Sequence, residues 1–449
     1  PGFPLPLGAS TVGSIAQAKL DTDSSFDFAA SLVNNNIVAF NSNGDILFSH
    51  PAGGILRSGP VIANIIDGQS AKVIVVTQNG NLLVLNSDGT NAENFPTALG
   101  GAFLSAPSVA DLNGDGNLEI VACSLNGYLY AINPLTGENI SGFPVQITGG
   151  SQNSITIADI DGDLSPEILI AASTSGFFYA FNHDGSVNFQ KTIGGQIKSS
   201  PVVADVNNDG NTEIILIAAN GDVYIMNHTG ENLPGTPIAV GTTVESSPVV
   251  ARFDNGSDYA GIIFGDSNGY LHSVRLDGAE SPNFPIKLRG SIRVSAALAD
   301  LDNDSDLDII VPDNSNYNVI DIKREIDSIE WECFTGTYNR SGNIAQPTPN
   351  IDLVIPIKDT ELYSAYPNPF NPQTTLSFNL KEAGEVSLDI YNQRGQKVRS
   401  LVNSKMDAGE HKIVWNGTDD NGRNVSSGLY FYRLKSGKYS STRKMIMMK

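Results

Sequence analysis

The chain has 449 residues, 40% of them hydrophobic and 17% charged, with 44 Gly and 23 Pro; this excludes disorder, collagen and a coiled coil and leaves room for two or more domains. Apolar runs such as residues 213–219 fall well short of the roughly 18 residues of a membrane helix, so no membrane span is expected. The formal net charge of −21 disfavours nucleic acid as a partner and favours cations. The sequence opens on Pro1 without a Met or a signal-like segment, so a soluble chain lacking its natural start is expected.

The charge is uneven. Residues 1–361 hold 41 acidic and 14 basic side chains, whereas residues 362–449 hold 7 and 13, which points to two domains with different tasks. Residues 342–361 (GNIAQPTPNIDLVIPIKDTE) read as the linker between a first domain, 1–341, and a second, 362–449. Cys123 and Cys333 are too few for a disulfide framework and lack zinc-type spacing; Cys123 is expected as a buried, inert thiol.

In chain order, residues 1–7 (PGFPLPL) read as a strand that matches residues 142–147 (GFPVQI) and 283–288 (NFPIKL). A repeat follows. The segment ADLNGDGNLEIVA at 110–122 recurs at 158–171, 204–217 and 299–311, with weaker copies from Ala18, Ala63 and Ala251. Counting the residue after that Ala gives positions 19, 64, 111, 159, 205, 252 and 300, spaced by 45 to 48 residues, an array of seven units.

Each unit reads as a small-residue strand (SAPSVADL), an acidic hairpin, an apolar strand (LEIVACS), an Asn-Gly turn, an aromatic strand (YLYAIN), a Gly turn and a GFPV-type strand. The Gly turns supply the positive φ that tight hairpins need. Seven four-stranded units are the pattern of an all-β, seven-bladed β-propeller. The seventh unit lacks its fourth strand and runs into residues 331–343 (WECFTGTYNRSGN), so the N-terminal strand is expected to complete that blade and close the ring.

The acidic hairpins place oxygen ligands at positions 1, 3, 5 and 9: Asp111, Asn113, Asp115, Glu119; Asp159, Asp161, Asp163, Glu167; Asp205, Asn207, Asp209, Glu213; Asp300, Asp302, Asp304, Asp308. The carbonyl of residue 7 (Asn117, Ser165, Asn211, Asp306) adds an expected ligand, and six to eight oxygens suit Ca²⁺ better than Mg²⁺. Asx turns without metal are the bland alternative, but so many carboxylates within nine residues call for a counter-ion. Asn64 and Arg252 replace the first ligand in blades 2 and 6, so those hairpins are expected to be empty. Lys19 does so in blade 1, although Asp21, Asp23 and Asp27 remain.

These residues resemble the FG-GAP or VCBS-type repeats of integrin-like propellers, whose Asp-x-Asp/Asn-x-Asp-Gly-x-x-Asp/Glu motif binds calcium between the first two strands of a blade. The match is close in blades 3, 4, 5 and 7, with Leu164 and Ser305 where Gly is usual. The resemblance implies calcium and secretion. About four structural Ca²⁺ sites are expected, because each ligand set comes from one hairpin and leaves little room for substrate.

Residues 362–449 contain LSFNL, VSLDIYN, KIVWNG and YFYRLK between turn signals, the pattern of a small Ig-like β-sandwich. The series from YPNPFNP at 366–372 through DIYNQRGQKV, GEHKIVWNGTDDNGR and SGLYFYRL to KMIMMK at 444–449 looks like the type A sorting domain of type IX secretion substrates, which resembles the FlgD Ig-like fold. That resemblance implies a secretion translocon as partner and the outside or outer surface of a Gram-negative, Bacteroidota-like cell as location.

The five His are scattered, and no Gly-x-Ser-x-Gly elbow, catalytic Cys context or phosphate loop is visible. Third-strand aromatics such as Tyr128, Tyr130, Phe177, Phe178, Tyr179 and Tyr224 read as propeller packing, with a glycan-stacking platform as the sharper alternative. The expected function is a secreted or cell-surface, non-catalytic propeller for adhesion to a glycan or protein ligand. The alternatives are a carbohydrate-active enzyme, the non-catalytic part of a larger secreted hydrolase, or a self-associating subunit of a surface layer or filament.

Overall fold

The computed structural model describes residues 5–20, 25–253, 259–302, 304–314, 316–325, 328–331, 360–362, 365, 368, 370–406, 409–420 and 422–448. The chain divides into two compact units, Pro1–Gln346 and Pro347–Lys449.

In the first unit, each repeat folds into its own antiparallel sheet. Blade 3 is representative, with strands Ser108–Ala110, Glu119–Cys123, Tyr128–Ile132 and Val145–Gln146 hydrogen-bonded in sequence order. Blades 1, 2, 4 and 5 repeat that order, from Thr11–Ala18, Val61–Ala63, Thr156–Ala158 and Val202–Ala204 respectively. The second strands of blades 2 to 6 are buried along their whole length, as in Glu213–Ile217 and Glu167–Ala172, because both faces pack against neighbouring sheets. One apolar cluster accordingly joins Leu169 and Phe178 of blade 4, Ile215 of blade 5, Ile263 of blade 6 and Ile309 of blade 7.

The small residues that open each first strand have a specific use. The backbone N–H of Ser154 donates to Ser200 Oγ (3.0 Å), that of Ser200 to Ser247 Oγ (2.8 Å), and that of Ser247 to Ser295 Oγ (3.1 Å). This belt stitches blades 4 to 7 together at their first strands. Replacing Ser247 by Ala strands the buried Ser200 N–H and is expected to cost about 1–3 kcal/mol. Urea unfolding measures it, and an unchanged midpoint would show that the belt carries no weight.

Blade 7 shows three strands among the described residues, Ala297–Ala299, Asp306–Pro312 and Tyr317–Glu325. Of the closing strand expected at residues 1–7, residues 1–4 lie outside the described residues. Leu5 and Leu7 belong to no ladder and pack with Phe28 against Ala30, Leu32, Val38 and Phe40 of blade 1. The chain after blade 7 also takes a path that the repeat did not announce. Ser328–Trp331 pairs antiparallel with the first strand of blade 6, Val249–Arg252, and so adds a fifth strand to that sheet. Trp331 is buried in the propeller core.

Cys123 is a free thiol, and burial pushes it up to about 12, so it is the inert core residue expected of it. Cys333 lies outside the described residues.

The second unit is a two-sheet β-structure. Glu361–Leu362, Thr374–Leu380 and Gly409–Trp415 form one sheet, and Lys397–Met406, Gly384–Asn392, Gly428–Ser436 and Tyr439–Met447 the other. Alternate residues Val386, Leu388 and Ile390 meet Tyr430, Tyr432 and Leu434 in a core with Phe378 and Trp415, the period-2 pattern of a half-buried strand. Trp415 Nε1 donates to Thr418 O (2.9 Å) and the Tyr430 hydroxyl to Ser426 O (2.7 Å), so both large rings are buried with their polar atoms satisfied.

Candidate metal centre

Antiparallel order places the four acidic hairpins between first and second strands, at the same end of every blade. Their backbone is held by the very side chains expected as ligands. Asp111 accepts from the N–H groups of Gly114 (2.7 Å) and Gly116 (2.9 Å), and Asp159 from Gly162 (2.7 Å) and Leu164 (2.9 Å). Asp205 and Asp300 accept in the same way from Gly210 and Ser305, each at 2.9 Å. Asp115, Asp163, Asp209 and Asp304, at position 5, each accept from the N–H two residues on, at 2.7–2.9 Å.

The sixth residue takes a left-handed backbone in all four hairpins, with φ of +87° at Gly116, +72° at Leu164, +86° at Gly210 and +70° at Ser305. Leu164 and Ser305 thus adopt the conformation that Gly adopts freely, at a cost of about 1–2 kcal/mol. The absence of Gly leaves the turn intact.

Position 9 closes each hairpin. Glu119, Glu167, Glu213 and Asp308 are buried, and each accepts the N–H of residue 2, from Leu112 (3.0 Å), Ile160 (3.1 Å), Val206 (3.0 Å) and Leu301 (2.7 Å). Burial pushes the carboxyls of Glu119, Glu167 and Glu213 up to about 7, and nearby hairpin aspartates add to the shift. An ionised carboxylate is costly there without a cation.

The donors converge in two hairpins. One ligand oxygen each from Asp159, Asp161 and Glu167 lie within 4.8 Å of one another, as do those of Asp300, Asp302 and Asp304. This all-oxygen set fits a hard divalent cation. In blades 3 and 5 the Asn of position 3 donates to the position-9 glutamate, Asn113 at 3.0 Å and Asn207 at 3.4 Å. The side chain of Asn117 also links hairpins, its Oδ1 accepting from Asp67 N–H of blade 2 (3.1 Å).

Sequence reasoning missed three features. First, Asp304 and Asp306 gather with Asp321 from the third strand of blade 7, and Lys323 Nζ bonds Asp304 (3.0 Å) and Asp321. Those bonds, Asp321 foremost, raise the Lys323 pKa. Blade 7 therefore carries its own competing cation. Lys323→Ala is expected to tighten calcium at this hairpin roughly two- to fivefold, the worth of an exposed ion pair. Calcium titration of the variant checks it, and an unchanged affinity counts against the competition.

Second, Lys72 of blade 2 is buried and stands opposite Ala63, as Glu119 stands opposite Ala110. The hairpin already marked by Asn64 thus has a lysine where the closing carboxylate belongs. In blade 6, Gly261 faces Ala251 at the same register, and Arg252 reaches across to Asp205 O (3.0 Å). Side-chain cations stand in both hairpins expected to be empty. Blade 1 keeps the closing bond, from Leu20 N–H to Asp27 (3.0 Å); Asp21 and Asp23 lie outside the described residues. Third, His272 is buried and stacked on Phe264, with Nδ1 2.7 Å from Glu280 and Nε2 3.6 Å from Asp266. It takes the place that Tyr130, Tyr179 and Tyr224 hold in other blades.

Four of the six third-strand aromatics singled out in the sequence are core residues. Tyr130, Tyr179 and Tyr224 are buried, and their hydroxyls bond the backbone at Gly100, Thr148 and Gly194 (3.1–3.3 Å). Phe178 is buried as well. These four residues pack the blades, whereas Tyr128 and Phe177, which open their strands, are half-buried.

Residues 368–440 match the family model of the FlgD Ig-like domain, and residues 168–234 that of the lambda-carrageenase beta-propeller domain. The chain is a β-propeller followed by an FlgD Ig-like domain. No curated protein matches it. Among solved structures, the Dos1 propeller is 11% identical with a TM-score of 0.47, covering 65% of this chain and 74% of its own. BBS1N in complex with ARL6DN is 11% identical with a TM-score of 0.45, covering 69% and 92%. The V. cholerae biofilm matrix protein Bap1 is 14% identical with a TM-score of 0.42, covering 98% and 67%.

Proposed function

We propose that this protein is an exported, non-catalytic binding module: a propeller of the FG-GAP or VCBS type, stiffened by calcium, that presents loops to an extracellular glycan or protein. One observation carries the reading. The clustered carboxylates of blades 3, 4, 5 and 7 are folded into hairpins at one end of the blades, the first aspartate of each tied to its own backbone, and the opposite end is left to meet a ligand. The C-terminal unit serves as a type IX sorting domain that docks on the translocon, a role supported by its match to the FlgD Ig-like domain at 368–440. The protein then acts outside the cell or on its outer surface.

A glycan array probed with the full chain in millimolar calcium and in chelator tests the reading. Binding that requires calcium is expected. Turnover of an arrayed glycan would overturn it in favour of an enzyme. A second reading draws on the match of residues 168–234 to a carrageenase propeller domain: the chain is the non-catalytic part of a larger polysaccharide-active enzyme. Linkage of this propeller to a hydrolase domain in the full precursor would decide for it.

A further inference from the structure

Blades 2 and 6 lack the ligand set, and each is bonded to a neighbouring blade that keeps it. In blade 2, Ile65 O accepts from Leu118 N–H of blade 3 (3.0 Å), and Asp67 N–H donates to Asn117 Oδ1 (3.1 Å). In blade 6, Ala260 N–H donates to Val206 O of blade 5 (2.9 Å), and Arg252 Nη2 to Asp205 O (3.0 Å). The backbone bond is the same in both pairs. The residue just before a second strand, Leu118 or Ala260, meets the carbonyl of the second hairpin residue in the preceding blade. Blade 4 cannot make this bond to blade 3, because Pro166 stands at that position and has no N–H.

These contacts fall on the atoms that shape the two ligand sets. In a trans peptide the N–H and the C=O point in opposite directions. The bond from Leu118 N–H to blade 2 therefore turns the Asn117 carbonyl, the expected ligand of position 7, away from blade 2 and to the side of its own hairpin. In blade 5 the Asp205–Val206 peptide is held at both ends, its carbonyl by Arg252 and its N–H by Glu213 (3.0 Å). Blade 6 thus grips the unit that links the first ligand to the last. The gripped hairpins are also the less charged ones: Asn113 and Asn207 occupy position 3, where blades 4 and 7 have Asp161 and Asp302.

Resting on the calcium reading above, we propose that blades 2 and 6 brace calcium sites they do not contain, blade 2 by positioning the Asn117 carbonyl of blade 3 and blade 6 by positioning the Asp205–Val206 peptide of blade 5. Ligands set in advance offset the missing carboxylate. By linkage, calcium in blade 3 tightens blade 2 in return, and calcium in blade 5 tightens blade 6.

The test titrates calcium into the full chain carrying Asp159→Asn, Asp205→Asn and Asp300→Asn, which leaves the blade 3 site. Asp67→Pro removes the N–H given to Asn117 without touching blade 3. Its turn suits proline, because Gln69 N–H bonds Ile66 O (3.1 Å) and Gly68 has a φ of +71°, which places Asp67 at the second position of a type II turn. The calcium Kd is expected to rise roughly threefold or more with Asp67→Pro and about tenfold with Leu118→Pro. Asp67→Asn and Leu118→Ala keep their N–H groups and are expected to stay within about twofold. Asp67→Pro decides if Leu118→Pro does not fold. In the otherwise unchanged chain, calcium is expected to slow amide hydrogen exchange at Asp67 and Ala260, with Asp111→Asn abolishing the first effect alone and Asp205→Asn the second alone. Proline variants that bind calcium as tightly as their parent, with no slowing at either amide, would overturn this inference and leave the calcium reading standing. A parent chain that binds no calcium would overturn both.

Discussion

Transferring the protein from about 1 mM calcium into chelator is expected to lower its melting temperature by roughly 3–9 °C. Extracellular calcium modules bind at about 10⁻⁴–10⁻³ M, so each site contributes about 0.4–1.4 kcal/mol at that concentration. Four sites contribute about 2–6 kcal/mol, and a unit of this size has an unfolding entropy of about 0.7 kcal/mol/K. Calorimetry with and without chelator reads the shift. Asn at positions 111, 159, 205 and 300 together should abolish the difference, because these aspartates organise the hairpins (2.7–3.2 Å bonds). A melting temperature indifferent to chelator in the wild type would reduce the hairpins to plain Asx turns.

In chelator, the propeller is expected to be more stable at pH 5.5 than at pH 8. The carboxyls of Glu119, Glu167 and Glu213 stand at about 7 in the fold, against an ordinary 4.5. Between those values the folded state holds more protons than the unfolded one, so stability falls as pH rises. The loss begins near pH 4.5, is complete above pH 7, and amounts to at most about 3 kcal/mol per carboxyl. Calcium paired with the ionised carboxylate would remove this penalty, so the slope is expected to flatten or reverse when the metal is present. Urea midpoints across pH, with and without calcium, check both halves. Equal slopes in the two conditions would separate these glutamates from metal binding.

Much of the architecture was legible because each blade repeats one solution. Asn-Gly and Asp-Gly pairs marked the turns, and Asp111, Asp159, Asp205 and Asp300 fell at one spacing because one backbone geometry needs them. What escaped was long-range. Nothing in the four residues of Ser328–Trp331 announces a partner nearly 80 residues earlier, the first strand of blade 6 with which they pair. Lys72, Asp321 and Lys323 were missed for a related reason: strand register, not sequence spacing, brings them to a hairpin. In the second unit, Lys397–Met406 and Tyr439–Met447 were passed over because these edge strands bury few side chains. His272 escaped because a lone histidine shows its carboxylate neighbours only once the sheet is built.

Blades 3, 4, 5 and 7 are each expected to hold one calcium ion. Equilibrium dialysis of the full chain against radioactive calcium counts the sites directly. Four ions per chain at saturation, falling by one with each single Asp→Asn change at 111, 159, 205 or 300, is the predicted result. No calcium retained at several millimolar, or a count untouched by those changes, would contradict it.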